Sequence, residues 1–259
     1  QVNRPFSSET HVGAKDFPAG TLMIPMGFQS LDAEKVSELI QKHAKESNQQ
    51  VFAVKTGINL KGIDLGSNLV GAITKPKAIM VVGQGISSYE AGEIWYLLDS
   101  QLGMPITKVN SDQMSRVNLF DYNTLILPSG NYSDFSDRVV AHLKDWANRG
   151  GTIISMKNAS LWLNRIELTN ESPVTLEAEM KEPSKLPFED RSAFEGAKEV
   201  GGSIYMATLD LTHPIAYGYQ RENLPVYRNT SIFIKPSADK DLTCLLSSSD
   251  APADPHALT

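Results

Sequence analysis

Lys77-Ala78-Ile79-Met80-Val81-Val82-Gly83-Gln84-Gly85-Ile86-Ser87-Ser88-Tyr89-Glu90 is the stretch on which the fold turns. The unbroken apolar run after Lys77 matches a strand buried on both faces, the pattern of a parallel sheet covered by helices. Gly83 and Gly85 break that strand. Ile94, Trp95, Leu98 and Leu102 then recur on one helical face until Gly103. The same order repeats downstream. Ile106-Thr107-Lys108-Val109 and Thr124-Leu125-Ile126-Leu127 have strand character, and Phe135, Val139, Leu143, Trp146 and Ala147 mark a helix that Arg149-Gly150-Gly151 closes. Residues 152–156 form the next strand. Repeated strand–helix alternation specifies an α/β chain with a doubly wound, mostly parallel sheet and helices on both faces.

Upstream, Phe17-Pro18-Ala19-Gly20 leads into an apolar run, Thr21-Leu22-Met23-Ile24-Pro25-Met26, that predicts a strand. A helix follows, capped by Ser30 or Asp32, with Val36, Leu39, Ile40 and Ala44 on one face. Val51-Phe52-Ala53-Val54-Lys55 predicts a second strand. Residues 1–75 thus read as a small β-α-β unit and a glycine-rich connector, too small to bury both faces alone and expected to pack on the larger domain at 76–246. Within that domain, 165–202 is a charged excursion, 203–209 and 226–235 are further strands, and Leu242-Thr243-Cys244-Leu245-Leu246 is another. Residues 247–259 read as a tail.

The chain has 259 residues, with Lys+Arg 24 against Asp+Glu 30 and a net charge of −6. That balance, with no basic run, gives no field to hold a phosphate backbone and excludes nucleic acid as a partner. The one cysteine, Cys244, makes neither an internal disulfide nor a thiolate zinc site. No window approaches the roughly 18 apolar residues of a membrane span. Because the chain begins at Gln1 with no apolar leader, it reads as a processed chain or a fragment of a longer protein.

Ligands of open parallel sheets bind beyond the carboxyl ends of the strands, where the strand order reverses. Three loops qualify. They supply the candidate crevice residues Gly83, Gln84, Gly85 and Glu90, then Ser129 and Gly130, then Lys157. The first loop has the G-x-G start of a phosphate cradle, but Ser88 stands where a third glycine belongs and Glu90 would oppose an anion. A tight turn with Ser87 or Ser88 capping the next helix accounts for the same residues. His43-Ala44-Lys45-Glu46 has the H-x-x-E form of a zinc pair, with His142 downstream. Five histidines and 30 acidic residues give about 0.6 such matches by chance, and Lys42 and Lys45 would oppose a cation. No metal is therefore assigned to this chain.

Residues 150–163, with Gly150-Gly151, the strand at 152–156 and Leu161-Trp162-Leu163, resemble the segment on which class I glutamine amidotransferases carry a cysteine nucleophile. Aligned this way, Lys157 takes the nucleophile position, and Ser155 and Ala159 replace the glycines that let the strained turn form. Pro128-Ser129-Gly130 resembles the loop that supplies oxyanion-hole amides. His213-Pro214 lies where the family's histidine would lie, but Ile215 stands in place of the expected acid, so a capping or packing role suits His213 better.

The ordered set of stretches resembles, over most of the chain, the C-terminal region of secreted bacterial zinc carboxypeptidase-like proteins, of the carboxypeptidase A type, which carry an amidotransferase-like domain. The stretches are Phe17-Pro18-Ala19-Gly20-Thr21, Gly62-Ile63-Asp64-Leu65-Gly66-Ser67, residues 83–95, residues 122–130 and His213-Pro214-Ile215-Ala216-Tyr217-Gly218-Tyr219. The resemblance implies a flavodoxin/amidotransferase-like fold, a zinc peptidase domain preceding Gln1 in the same polypeptide, and export to the periplasm or beyond. It implies no cofactor here, since zinc belongs to the missing domain. The leading expectation is a non-catalytic accessory domain that binds a peptide or glycan in the crevice. One alternative is a stand-alone amidohydrolase or transferase using Lys157 or Ser129; another is a binder of a small phosphate ligand at 83–88.

Overall fold

In the computed structural model the described residues are 1–171, 173–174, 186–196, 202–230, 232, 234–235 and 246–247. They fall into two compact units, one of Gln1–Thr74 with Thr208–Leu224, the other centred on Lys75–Ala207.

The first unit begins with a hairpin. Strands β1 (Phe6–Thr10) and β2 (Gly13–Phe17) pair antiparallel around His11 and Val12. The rings of Phe6 and Phe17, directly opposite in the register, stack 4.8 Å apart. Helix α1 (Ala33–Glu46) starts at Asp32, whose carboxylate accepts the Lys35 N–H at 2.8 Å, and β3 (Lys61–Gly62) pairs with the free edge of β1. The sheet order is β2-β1-β3. This corrects the β-α-β reading of 1–75, in which only the helix holds. At 21–26 no strand forms. Pro25 has no N–H for a ladder, and Leu22, Ile24 and Met26 stay exposed. Residues 51–55 contribute one bridge, Val54 to Thr10, because Lys61 and Gly62 take the pairing positions farther along β1.

The second unit holds β4 (Ala78–Val82), α2 (Ser88–Trp95, continued by a π turn over Tyr96–Gln101), β5 (Thr107–Asn110), β6 (Thr124–Leu127), α3 (Asp137–Asn148), β7 (Thr152–Ser155) and α4 (Asn158–Arg165). All four strands run parallel in the order β5-β4-β6-β7. Alternation along β4 and β6 explains the unbroken apolar runs. Ile79, Val81, Leu125 and Leu127 face one way, onto Val139, Leu143 and Trp146 of α3 and Trp162 and Leu163 of α4. Ala78, Met80 and Ile126 face the other way, onto Ala91, Ile94, Trp95 and Leu98 of α2 and its extension. Both faces are covered, so the sheet is doubly wound. The chain is α/β, and this strand order is flavodoxin-like, as expected.

A helix α5 (Phe188–Gly196) occupies part of the charged excursion. Strands β8 (Ser203–Leu209), β9 (Asn223–Arg228) and β10 (Leu246–Ser247) make a third sheet in the order β10-β8-β9. Cys244 and residues 248–259 lie outside the described residues.

Candidate functional site

The switch point of the parallel sheet lies between β4 and β6, whose following helices cover opposite faces. The loops leaving these strands are stitched together there. Ser87 N–H donates to Ser129 O at 2.8 Å, Asn131 N–H donates to Gly85 O at 2.8 Å, and Ile86 bridges Gly130. Gly130 is required by that approach, because a Cβ would come within 2.7–3.0 Å of Ile86 and Gly85 O. Gly83 and Gly85 adopt φ +97° and +81°, which turn the chain from strand to helix. Ser87 caps α2 by accepting the Glu90 N–H, as the capping reading expects. Gln84 is exposed, and its carbonyl accepts from Ser111 Oγ at 3.1 Å. The Ile86, Ser87 and Glu90 amides are thus donated within the chain, to Gly83 O, Ser129 O and Ser87 Oγ.

Lys157 sits between β7 and α4 with φ 48° and ψ −115°, a conformation costly for a residue with a Cβ. The strained elbow therefore forms without the flanking glycines, at Ser155, Lys157 and Ala159. Two things hold it: Ala159 is fully buried in the core, and the Ser155 and Ser160 hydroxyls lie 2.9 Å apart across the turn. From this elbow Lys157 Nζ reaches Glu90 Oε1 at 2.8 Å. The second oxygen, Glu90 Oε2, accepts the Ser129 N–H at 2.7 Å. Their side chains are only 31% and 15% exposed, which sets this pair apart from the surface pairs Lys35–Glu38 and Arg149–Asp145. Three of the residues singled out in the sequence thus converge in one clasp, joined by Gly85 and Gly130 through the loop stitching. Gly83 and Gln84 take no part in it.

Tyr132 is a member of this neighbourhood that sequence patterning does not find. It is 1% exposed, its hydroxyl donates to Pro128 O at 2.6 Å, and its ring packs against Trp162. Burial, then the Glu90 charge, push its phenol well above the usual value near 10. Its stabilising contribution is present up to about pH 10, where the unfolded phenol begins to ionise and the folded one does not. Above that, stability falls by about 1.4 kcal/mol per pH unit. Thermal unfolding followed from pH 8 to 12 should show this loss, and Tyr132→Phe should remove that part of it.

On the α2 side of the same switch-point loop, a cavity of about 290 Å³ is lined by Gly83, Ile86, Ser87, Ala91, Trp95 and Lys108, among others. Lys108 Nζ lies 4.5 Å from the Trp95 ring centroid. Gly92 is a glycine inside a helix whose added Cβ would meet nothing within 4 Å. Gly92→Ala should raise stability by about 0.5–1 kcal/mol in chemical denaturation.

The zinc-like pair is a surface contact in the last turn of α1, with His43 Nδ1 at 3.1 Å from Glu46 Oε2, both exposed. His142 packs beside Phe120. Among the described residues no group of three His, Cys, Asp or Glu side chains could hold a metal ion. His213 Nδ1 accepts the Ile215 N–H at 3.2 Å and caps the short helix Pro214–Ala216, the role its sequence context suggests. No helix among the described residues is long and apolar enough to cross a membrane.

No protein-family model, curated protein or solved structure matches the chain.

Proposed function

We propose that this chain is a non-catalytic accessory domain with an amidotransferase-like fold, part of an exported zinc carboxypeptidase-like protein, and that it binds a ligand at the clasp. The observation that carries the non-catalytic reading is the Lys157–Glu90 ion pair. An elbow of this kind presents a nucleophile to a substrate carbonyl, and a lysine attacks only through a free amine lone pair. Here the lysine head is 2.8 Å from a carboxylate, and that carboxylate also takes the Ser129 amide. In the family this loop would offer its amides to an oxyanion. Nucleophile position and oxyanion donor are bound to each other through Glu90.

The assignment to an exported zinc peptidase rests on the sequence resemblance alone. An upstream H-x-x-E with a distant histidine in the full reading frame is the expected finding.

Catalysis is tested directly. Purified protein is incubated with amide and ester substrates, and separately with simple aldehydes under borohydride to trap an imine at Lys157. The expected result is no turnover and no Lys157 adduct. Turnover abolished by Lys157→Ala, or a reduced adduct mapped to Lys157, would support the enzyme alternative instead.

A further inference from the structure

The Glu90 carboxylate has the surroundings of a bound ligand. One oxygen meets an ammonium at 2.8 Å and the other a backbone N–H at 2.7 Å, so a planar group with two acceptor oxygens and one negative charge satisfies both donors together. We propose that Glu90 is the internal occupant of a carboxylate-recognition site built from Lys157 Nζ and the Ser129 N–H, and that a carboxylate-bearing ligand takes its place. This rests on the non-catalytic reading, since a lysine serving as nucleophile is not a standing cation.

Four features support exchange. First, the Ser129 N–H and the backbone that carries Lys157 are held in place without Glu90. The Ser129 loop is fixed by the Ser87 and Asn131 backbone bonds, and the Lys157 backbone by the buried start of α4. The backbone frame of the site therefore keeps its shape when Glu90 leaves. Second, the swap is charge-neutral, one carboxylate out and one in, so no buried cation is left unpaired. Third, Glu90 belongs to the first turn of α2, where a negative charge remains favourable beside the helix N-terminus after it has turned to solvent. Fourth, the strained backbone at Lys157 is a cost that the ion pair by itself does not require, and such strain concentrates where a side chain must be aimed for function. The partial exposure of Lys157 leaves the site open from one side.

The ligand chemistry is a carboxylate, from either a free small acid or the C-terminus of a peptide. The test follows the Ser129 amide resonance in ¹⁵N-labelled protein during titration with sodium acetate, against sodium chloride at equal ionic strength. In Glu90→Ala, acetate should shift this resonance saturably and raise the thermal midpoint, and chloride should do neither. Wild type should respond at concentrations at least about tenfold higher, because Glu90 competes for the site. In Glu90→Ala/Lys157→Met the acetate response should vanish. Glu90→Gln provides the same comparison if the alanine variant does not fold.

N-acetyl-glycylglycine and its amide separate the two sources. Tighter binding of the free-acid peptide than of acetate assigns a peptide C-terminus, and equal binding assigns small acids; both support the site. A Ser129 amide equally indifferent to acetate and chloride in the Glu90 variants, or an acetate response that survives loss of Lys157, overturns it. Either result leaves the non-catalytic reading intact, because that reading falls only with turnover or an imine adduct.

Discussion

Trp146→Ala is expected to destabilise the parallel-sheet unit by about 3–5 kcal/mol in urea or guanidinium unfolding. Trp146 is 2% exposed and shares the inward stripe of α3 with Val139 and Leu143. Its indole N–H donates to Tyr122 O at 3.1 Å, so truncation removes apolar contact and leaves that carbonyl without its donor. The cavity would not collapse easily, because the ring rests on the backbone of Gly151 where the chain enters β7. A Cβ at Gly151 would be driven into the indole. Gly151→Ala should therefore be strongly destabilising in wild type and much milder in Trp146→Ala. That non-additivity, measured as a double-mutant cycle, checks the packing. Additive costs would show that the two positions do not touch. Against a typical total stability of about 5–15 kcal/mol, the single tryptophan change alone threatens folding.

The parallel sheet was legible because its two central strands, β4 and β6, are buried on both faces. Ala78-Ile79-Met80-Val81-Val82 has no polar interruption, and each glycine-terminated helix after it carries a single apolar face. The N-terminal unit lacked that clarity. In β1 the buried side alternates Phe6, Ser8 and Thr10, so two of its three inward residues are polar and the pattern resembles loop sequence. Thr10 finds partners in the turn, donating to Gly13 O and accepting from Val12 N–H, and this local chemistry fixes the hairpin where hydrophobicity does not. Conversely, the run from Thr21 to Met26 looks like a strand only by composition. No neighbour supplies a ladder, and a strand without one has nothing to gain over irregular chain.

For the site, sequence position was informative and sequence chemistry was not. Placing loops at the carboxyl ends of β4, β6 and β7 sufficed to select Glu90, Ser129 and Lys157, because the flavodoxin-like order brings those three ends together. That Glu90 bridges the other two could not be read from any spacing, since 39 residues separate it from Ser129. An acidic residue three positions into a helix is also accounted for by the helix dipole, which says nothing of a partner on another loop. Tyr132 escaped notice for a related reason. Its burial arises from Trp162 and Phe135 packing around it, and Trp162 is distant in sequence.

Glu90→Ala is the second change with a large expected cost, about 2–3 kcal/mol. It leaves the Lys157 ammonium without its carboxylate and the Ser129 N–H without its acceptor. A fully buried pair broken on one side costs about 3–5 kcal/mol, and the 31% exposure of Lys157 lets water recover part of that. Lys157→Met should cost a similar amount for the opposite reason, leaving Glu90 with one donor. The informative variant is the double one. In Glu90→Gln/Lys157→Met neither charge remains, the glutamine carbonyl can still accept the Ser129 amide, and the methionine fills most of the lysine volume. Its cost should fall short of the summed costs of Glu90→Gln and Lys157→Met by about 1–2 kcal/mol. Lys157→Gly separates the charge from the backbone. It loses the same ion pair as Lys157→Ala but relieves the positive φ, and should be the more stable of the two by about 1 kcal/mol after the entropy of an added glycine is offset. If alanine at 157 proves as stable as glycine, the elbow is not strained, and the case for an aimed lysine loses its energetic basis.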